Sequence, residues 1–257
     1  MNPKQIVKTS YANIYQEPSF SSEMLTQALF FESLDVKSEH KNWVKVTQWD
    51  GYEGYVHKFY LCDSMEMGRS IILTNRLTPI YSSANEENIV MLAPFGSEIY
   101  YKRLNDLWCT FNLDAMDYYF KHLAAFDEMT ENLTRENIIL SCNELMGSPY
   151  LWGGKTPFGY DCSGFVQQVF KSMNISLKRD TSQQIKDDRF STIELSDILE
   201  GDILFFDFEK KGVDHVGIWH GNNKVAHCGG YVKAQSLEDG LLEHIIKIKS
   251  IGSQING

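Results

Sequence analysis

The chain has 257 residues, 43% of them hydrophobic and 23% charged, with a formal net charge of −10. This is the composition of a soluble globular protein long enough for more than one domain. The acidic balance argues against duplex nucleic acid or an anionic membrane surface as the main partner. It favours a neutral or partly cationic ligand.

The first residues, MNPKQIVKTSYANIYQEPSF, hold no apolar run of signal-peptide length behind a basic start. No window approaches a membrane span. With Met1 as the native start, the expected location is the cytoplasm. The five cysteines, Cys62, Cys109, Cys142, Cys162 and Cys228, are odd in number and form no CxxC pair. Free thiols in a reducing compartment fit better than a disulfide framework.

Residues 5 to 125 read as all-β, with short runs rich in Val, Ile, Tyr, Trp and Phe between turn residues. A faint repeat runs through them. ANIYQEP near residue 12 is echoed by TPIYSSA near 78, Trp43 by Trp108, and GYEGYV at 51 by AMDYYF at 115, offsets of 66, 65 and 64. Two small barrels, residues 1–64 and 65–126, explain the repeat, and a single larger β-domain is the alternative. The second copy is the more divergent, because AMDYYF lacks the glycines of GYEGYV.

Residues 127–257 differ in style. Ile138, Ile139, Cys142, Leu145 and Met146 fall at helical spacing, with Thr134 as the start signal and Gly147 as the stop. A glycine-rich loop follows, then a helix over about 162–173. GDILFFD, DHVGIWH and NKVAHC then read as strands. Helices followed by a sheet point to an α+β domain.

Cys162 lies on the apolar stripe of Phe165, Val166, Val169, Phe170 and Met173, so periodicity alone makes it a core residue. Its place at a helix start points the other way. Unpaired N–H groups and the positive end of the dipole there stabilise a thiolate and a developing oxyanion. Asp161 and Ser163 flank it, and Tyr150 and Trp152 offer flat walls. Gly153, Gly154 and Gly159 let a peptide backbone approach closely.

A base is available from the strands. With a three-residue hairpin loop at Gly221, Asn222 and Asn223, Gly217 faces His227 and His215 is the diagonal neighbour on the same side. His215 would take the thiol proton and His227 would orient it, the arrangement of a nucleophile, base and orienter. A metal held by Cys162, His215 and His227 is the lesser alternative, because no second cysteine or paired carboxylates accompany them. No metal or cofactor is expected.

In this order, YLWGG, YDCSGFVQQVF, RDTSQQ, GDILFF, DHVGIW and AHCGG resemble the catalytic domain of the NlpC-type cell-wall cysteine peptidases, over roughly residues 128 to 257. The N-terminal half resembles tandem bacterial SH3-like modules. The layout is most similar to the gamma-D-glutamyl-L-diamino-acid endopeptidases of the dipeptidyl-peptidase VI type.

The resemblance implies a papain-like α+β peptidase domain behind two SH3-like barrels. It implies hydrolysis of the bond between gamma-D-Glu and a diamino acid, meso-diaminopimelate or Lys, in murein peptides with a free N-terminal L-Ala. Cys162 would be the nucleophile, His215 the base and His227 the third member. Tyr150, Trp152, Asp161 and Ser163 would line the pocket. Asp180 would bind the substrate's ammonium with Thr181 nearby, and Glu17 and Tyr52 would reach the pocket from the first module. Bland readings of those two are a solvated loop glutamate and a barrel-packing tyrosine.

Two other functions compete: a wall-peptide binding module on a degenerate peptidase domain, and the same fold doing amidase or acyl-transfer chemistry. The intact Cys162, His215 and His227 set argues against the first. No oligomeric state follows from the sequence.

Overall fold

Alternation builds the first strands. In the computed structural model β1 is Lys4–Val7, β2 Tyr11–Tyr15, β3 Met24–Leu29, β4 Ser33–His40, β5 Trp43–Thr47, β6 Glu53–His57 and β7 Leu61–Asp63. Ala12 and Ile14 of β2, Val44 and Val46 of β5 and Val56 of β6 point into one core, while Tyr11, Asn13, Tyr15, Lys45 and Tyr55 beside them stay half-buried. The seven strands form one antiparallel sheet in the order β3-β2-β6-β5-β4-β1-β7. The structure describes residues 3–63, 68–123 and 133–252, so the boundaries expected at 64/65 and 126/127 lie outside the described residues.

The following strands are β8 (Ser70–Ile72), β9 (Leu77–Tyr81), β10 (Ile89–Pro94), β11 (Glu98–Tyr100), β12 (Lys102–Arg103), β13 (Trp108–Leu113) and β14 (Met116–Lys121). They form a five-stranded sheet, β10-β9-β14-β13-β12, and a separate β8–β11 pair. The repeat is visible in the contacts. Tyr15 packs edge-on against Trp43 at 5.7 Å, and Tyr81 does the same with Trp108 at 5.3 Å. Tyr15 pairs with Tyr55 across β2–β6, and Tyr81 pairs with Tyr119 across β9–β14.

Both halves share a second core, in which Ile6, Phe30, Phe31 and Cys62 meet Ile80, Ile99, Phe111 and Phe120. Accordingly residues 1–130 form one compact unit, and residues 131–257 form the other.

The second unit opens with α1 (Arg135–Leu145), whose first turn is capped by Thr134 Oγ1 accepting from the Asn137 N–H at 3.1 Å. Gly147 follows with φ +81°, the left-handed conformation that ends helices at a glycine. Next come the short β15 (Lys155–Thr156) and β16 (Gly159–Tyr160), α2 (Cys162–Lys171) and the single turn α3 (Thr181–Gln184). The last strands are β17 (Ser191–Thr192), β18 (Ile203–Phe206), β19 (His215–Gly221), β20 (Lys224–Cys228), β21 (Val232–Ser236) and β22 (Ile245–Ser250), in a sheet ordered β17-β22-β18-β19-β20-β21. Helix α2 packs on β19 and β20.

Two sequence expectations are refined here. Every residue of α2 is buried, not only its apolar stripe. Gln167 Nε2, for example, donates to the Leu177 carbonyl at 3.0 Å inside the unit. The β19–β20 hairpin has a tighter loop than the three-residue one expected. Asn222 and Asn223 turn with φ +50° and +59°, and a register shift lies between Trp219 and Gly221. The net register is the expected one: Gly217 faces His227.

Candidate active site

Helix α2 begins at Cys162 because Asp161 caps it. The Asp161 carboxylate accepts from the Gly164 N–H at 2.6 Å and from the Gly153 N–H at 2.9 Å, tying the helix start to the glycine-rich loop. Glycines make that junction possible, and the close approach is of the protein's own backbone. A Cβ on Gly164 would sit 2.2 Å from the Gly154 carbonyl oxygen, and one on Gly154 would sit 2.2 Å from that of Gly159.

Sequence reasoning missed Arg179. It is only 2% exposed and clamps Asp161 with both terminal nitrogens, at 3.0 and 2.5 Å, while also donating to Ser163 Oγ at 2.9 Å. A paired, hydrogen-bonded guanidinium is the form in which a charge survives such burial. Asp161 and Ser163, expected in the substrate pocket, therefore have their side chains committed to the helix start. The signal was an arginine directly before Asp180 in RDTSQQ, in a domain whose nucleophile candidate follows an aspartate.

Cys162 is 9% exposed. Its sulfur lies 3.9 Å from Thr181 Oγ1, so Thr181 comes to the candidate nucleophile. Burial first, and then the Asp161 charge, push the thiol up to about 11, against the lowering by Thr181, the Ser163 N–H and Arg179. The helix start is thus outweighed, and the isolated thiol rests protonated at neutral pH. Tyr150 stands in the same electrostatic neighbourhood, its phenol pushed up to about 12 by burial and then by Cys162. Tyr150 and Trp152 are exposed, Trp152 at 62%, as pocket walls must be.

The histidines form a wired pair. His215 Nε2 and His227 Nδ1 are 2.8 Å apart, and His227 Nε2 is 3.2 Å from Gln235 Oε1. Gln235 Nε2 donates to the Asp239 carbonyl at 2.7 Å, which fixes the amide orientation and turns Oε1 toward His227.

The tautomers follow in sequence. His227 carries its proton on Nε2, so its Nδ1 accepts, and His215 carries its proton on Nε2. The Nδ1 of His215 is left as a lone pair. Burial, then the neighbouring imidazole, hold His215 down at about 3. Burial holds His227 down at about 4. Both rings are neutral at neutral pH. Gln235 was not foreseen. It sits opposite Val225 on β21, diagonal to His227, on a strand the sequence reading did not draw.

Asp180 precedes the turn α3 and engages in a capping box with Gln183. Glu17 and Tyr52 belong to the first unit. Glu17 is exposed after β2, its N–H donating to Ser22 Oγ at 3.0 Å. Tyr52 is half-buried in the β5–β6 turn, its N–H donating to Asp50 Oδ1 at 2.9 Å. Among the described residues, no group of three or more His, Cys, Asp or Glu is arranged to hold a metal ion.

Comparisons agree with these features. Residues 147–248 match the NlpC/P60 family, and residues 10–61 match the bacterial SH3 domain. The chain is 29% identical over 219 residues to the gamma-D-glutamyl-L-lysine dipeptidyl-peptidase of Bacillus subtilis, covering 79% of this chain and 71% of that protein. It is 23% identical over 255 residues to dipeptidyl-peptidase 6 of Lysinibacillus sphaericus, covering 91% and 92%. The crystal structure of an NlpC/P60 family protein from Bacillus cereus shares the fold, with a TM-score of 0.85 over 96% of this chain and 99% of that one, at 18% identity.

Proposed function

We propose that this chain, which carries an NlpC/P60 cysteine-peptidase domain together with a bacterial SH3 domain, hydrolyses the amide between gamma-D-glutamate and a diamino acid in murein peptides whose N-terminal L-Ala is free. The observation that carries the reading is the fixed tautomer of His215. Its Nδ1 lone pair is what a buried, protonated thiol requires as its base.

In this reading the Cys162 thiol passes its proton to His215 Nδ1 as the sulfur attacks the gamma-carbonyl carbon. His227, held by Gln235, accepts from His215 Nε2–H and steadies the imidazolium. The oxyanion forms at the start of α2, where backbone N–H groups stabilise it. His215 then gives the proton to the leaving nitrogen, releasing the diamino acid and a Cys162 thioester. Water, deprotonated by the same imidazole, frees the L-Ala-D-Glu dipeptide.

The free-amine requirement rests on Asp180, a carboxylate that selects an ammonium and rejects an acylated amine. An enzyme so built acts after an amidase has parted peptide from glycan, which is a recycling role. The matched Tyr–Trp pairs support reading residues 1–64 and 65–126 as two SH3-like modules ahead of the peptidase domain at 127–257.

The test is mass spectrometry of L-Ala-gamma-D-Glu-meso-diaminopimelate and its N-acetylated form after incubation with the protein. Release of L-Ala-D-Glu from the free peptide alone is expected. Equal cleavage of both would remove the ammonium gate and the recycling role, and cleavage of neither would remove the peptidase assignment for this substrate.

A further inference from the structure

The substrate proposed above bears carboxylates, and a tripeptide ending in the diamino acid carries one on the very carbon whose nitrogen departs. The chain itself is acidic, so a cation must meet that group. Arg179 is consumed by Asp161, and Lys155 is wholly buried. Lys233 is the cation at the histidines.

Lys233 lies directly opposite His227 in the β20–β21 register, and directly opposed residues share a face of the sheet. Its ammonium sits 5.5 Å from the centre of the Tyr231 ring, which orients it. Tyr231 is 52% exposed and bridges to Pro149, the residue before Tyr150, so the lysine stands on the same side as the pocket wall. Lys233 is half-buried, and among the described residues no carboxylate pairs with it. Its charge reaches both imidazoles and lowers each. Lys233 thus stands beside the imidazole pair that, in the mechanism above, hands the proton to the leaving nitrogen.

We propose that Lys233 is a specificity residue that binds the free carboxylate of the departing diamino acid and so selects peptides that end at that residue. This rests on the peptidase reading above. It implies that a reaction which trims the peptide's carboxyl end supplies the substrate, because a further residue would convert the carboxylate to an amide.

The test compares three peptides: L-Ala-gamma-D-Glu-L-Lys with a free carboxyl terminus, the same peptide as its C-terminal amide, and the same peptide with only the glutamyl α-carboxylate amidated. Wild type is expected to prefer the free acid over the C-terminal amide in kcat/KM by about 10- to 100-fold, the worth of one charge-assisted hydrogen bond, mostly through KM. Lys233→Met is expected to bring that ratio toward one, and Lys233→Arg to keep most of it.

A Lys233→Met ratio equal to the wild-type ratio would overturn the proposal. So would a preference that follows only the glutamyl carboxylate, which would put the lysine on the other side of the scissile bond. No cleavage of any of the three peptides by wild type would overturn the peptidase reading and this inference together, an outcome distinct from both.

Discussion

In the first unit the centres of the two repeats are aromatic, with Tyr15 on Trp43 and Tyr81 on Trp108. In the second unit the centre is ionic, with Arg179 on Asp161 beneath the start of a fully buried helix. Edge-on rings contribute by area and shape, and they tolerate partial loss. A buried ion pair fails abruptly when one partner goes, because the other charge is stranded. The difference separates residues that hold the chain together from residues that hold one sulfur and one imidazole in place.

The sharpest separation comes from Cys162→Ala. Peptide release should fall by about 10⁴-fold or more, since removing the proposed nucleophile leaves only binding and electrostatic effects. The melting temperature should stay near that of the wild type, read by thermal unfolding. Arg179→Met should move both quantities, destabilising by about 3–5 kcal/mol in denaturant titration and abolishing activity. Adding Asp161→Asn should recover stability without recovering activity, and recovery of both would break the distinction drawn here.

Gly54→Ala probes the other side of the comparison. A Cβ there would lie 2.5 Å from Ile14 Cγ2 and 2.8 Å from the Tyr15 carbonyl oxygen. It should cost about 1–3 kcal/mol of stability, with kcat per folded molecule retained. Tyr118 fills the corresponding place in the second copy and stacks on Phe111 at 5.7 Å, which shows how the repeat diverged. Gln235→Leu should do the reverse of Gly54→Ala. About a tenfold loss in kcat is expected, the worth of one neutral hydrogen bond, with little change in the unfolding midpoint.

A further effect is on the pH dependence of stability. His215 and His227 fold with pKa values of about 3 and about 4, below the ordinary 6.5. The unfolded chain then binds more protons, so their contribution is present above 6.5 and is lost as pH falls toward 4 and 3. Unfolding midpoints measured from pH 7 to pH 4 should decline, and less steeply in a His215→Ala, His227→Ala variant.

Much of the site was legible because its elements are local. A helix start, strand alternation and hairpin arithmetic place Cys162, His215, Gly217 and His227. The missing parts are those joined across the fold. Arg179 reaches Asp161 over 18 residues of chain, and Gln235 reaches His227 from a strand whose register depends on the whole sheet. The thiol's protonation also escaped a local reading, because a helix start can be read from sequence while the burial that outweighs it cannot. In the first unit the repeat was legible in Tyr, Trp and spacing. The shared core of Ile6, Phe30, Phe31 and Cys62 with the second copy was not, since apolar residues do not announce which face they will meet.

The central claim is that Cys162 carries the acyl group during turnover, with His215 as its base. It is tested most directly by acid-quenching the protein with L-Ala-gamma-D-Glu-meso-diaminopimelate within the first turnover and mapping the adduct by mass spectrometry. The account predicts an L-Ala-D-glutamyl thioester on the peptide containing Cys162, absent from Cys162→Ala and not formed by His215→Ala. Turnover with no adduct on that peptide, together with an active Cys162→Ala protein, would contradict it.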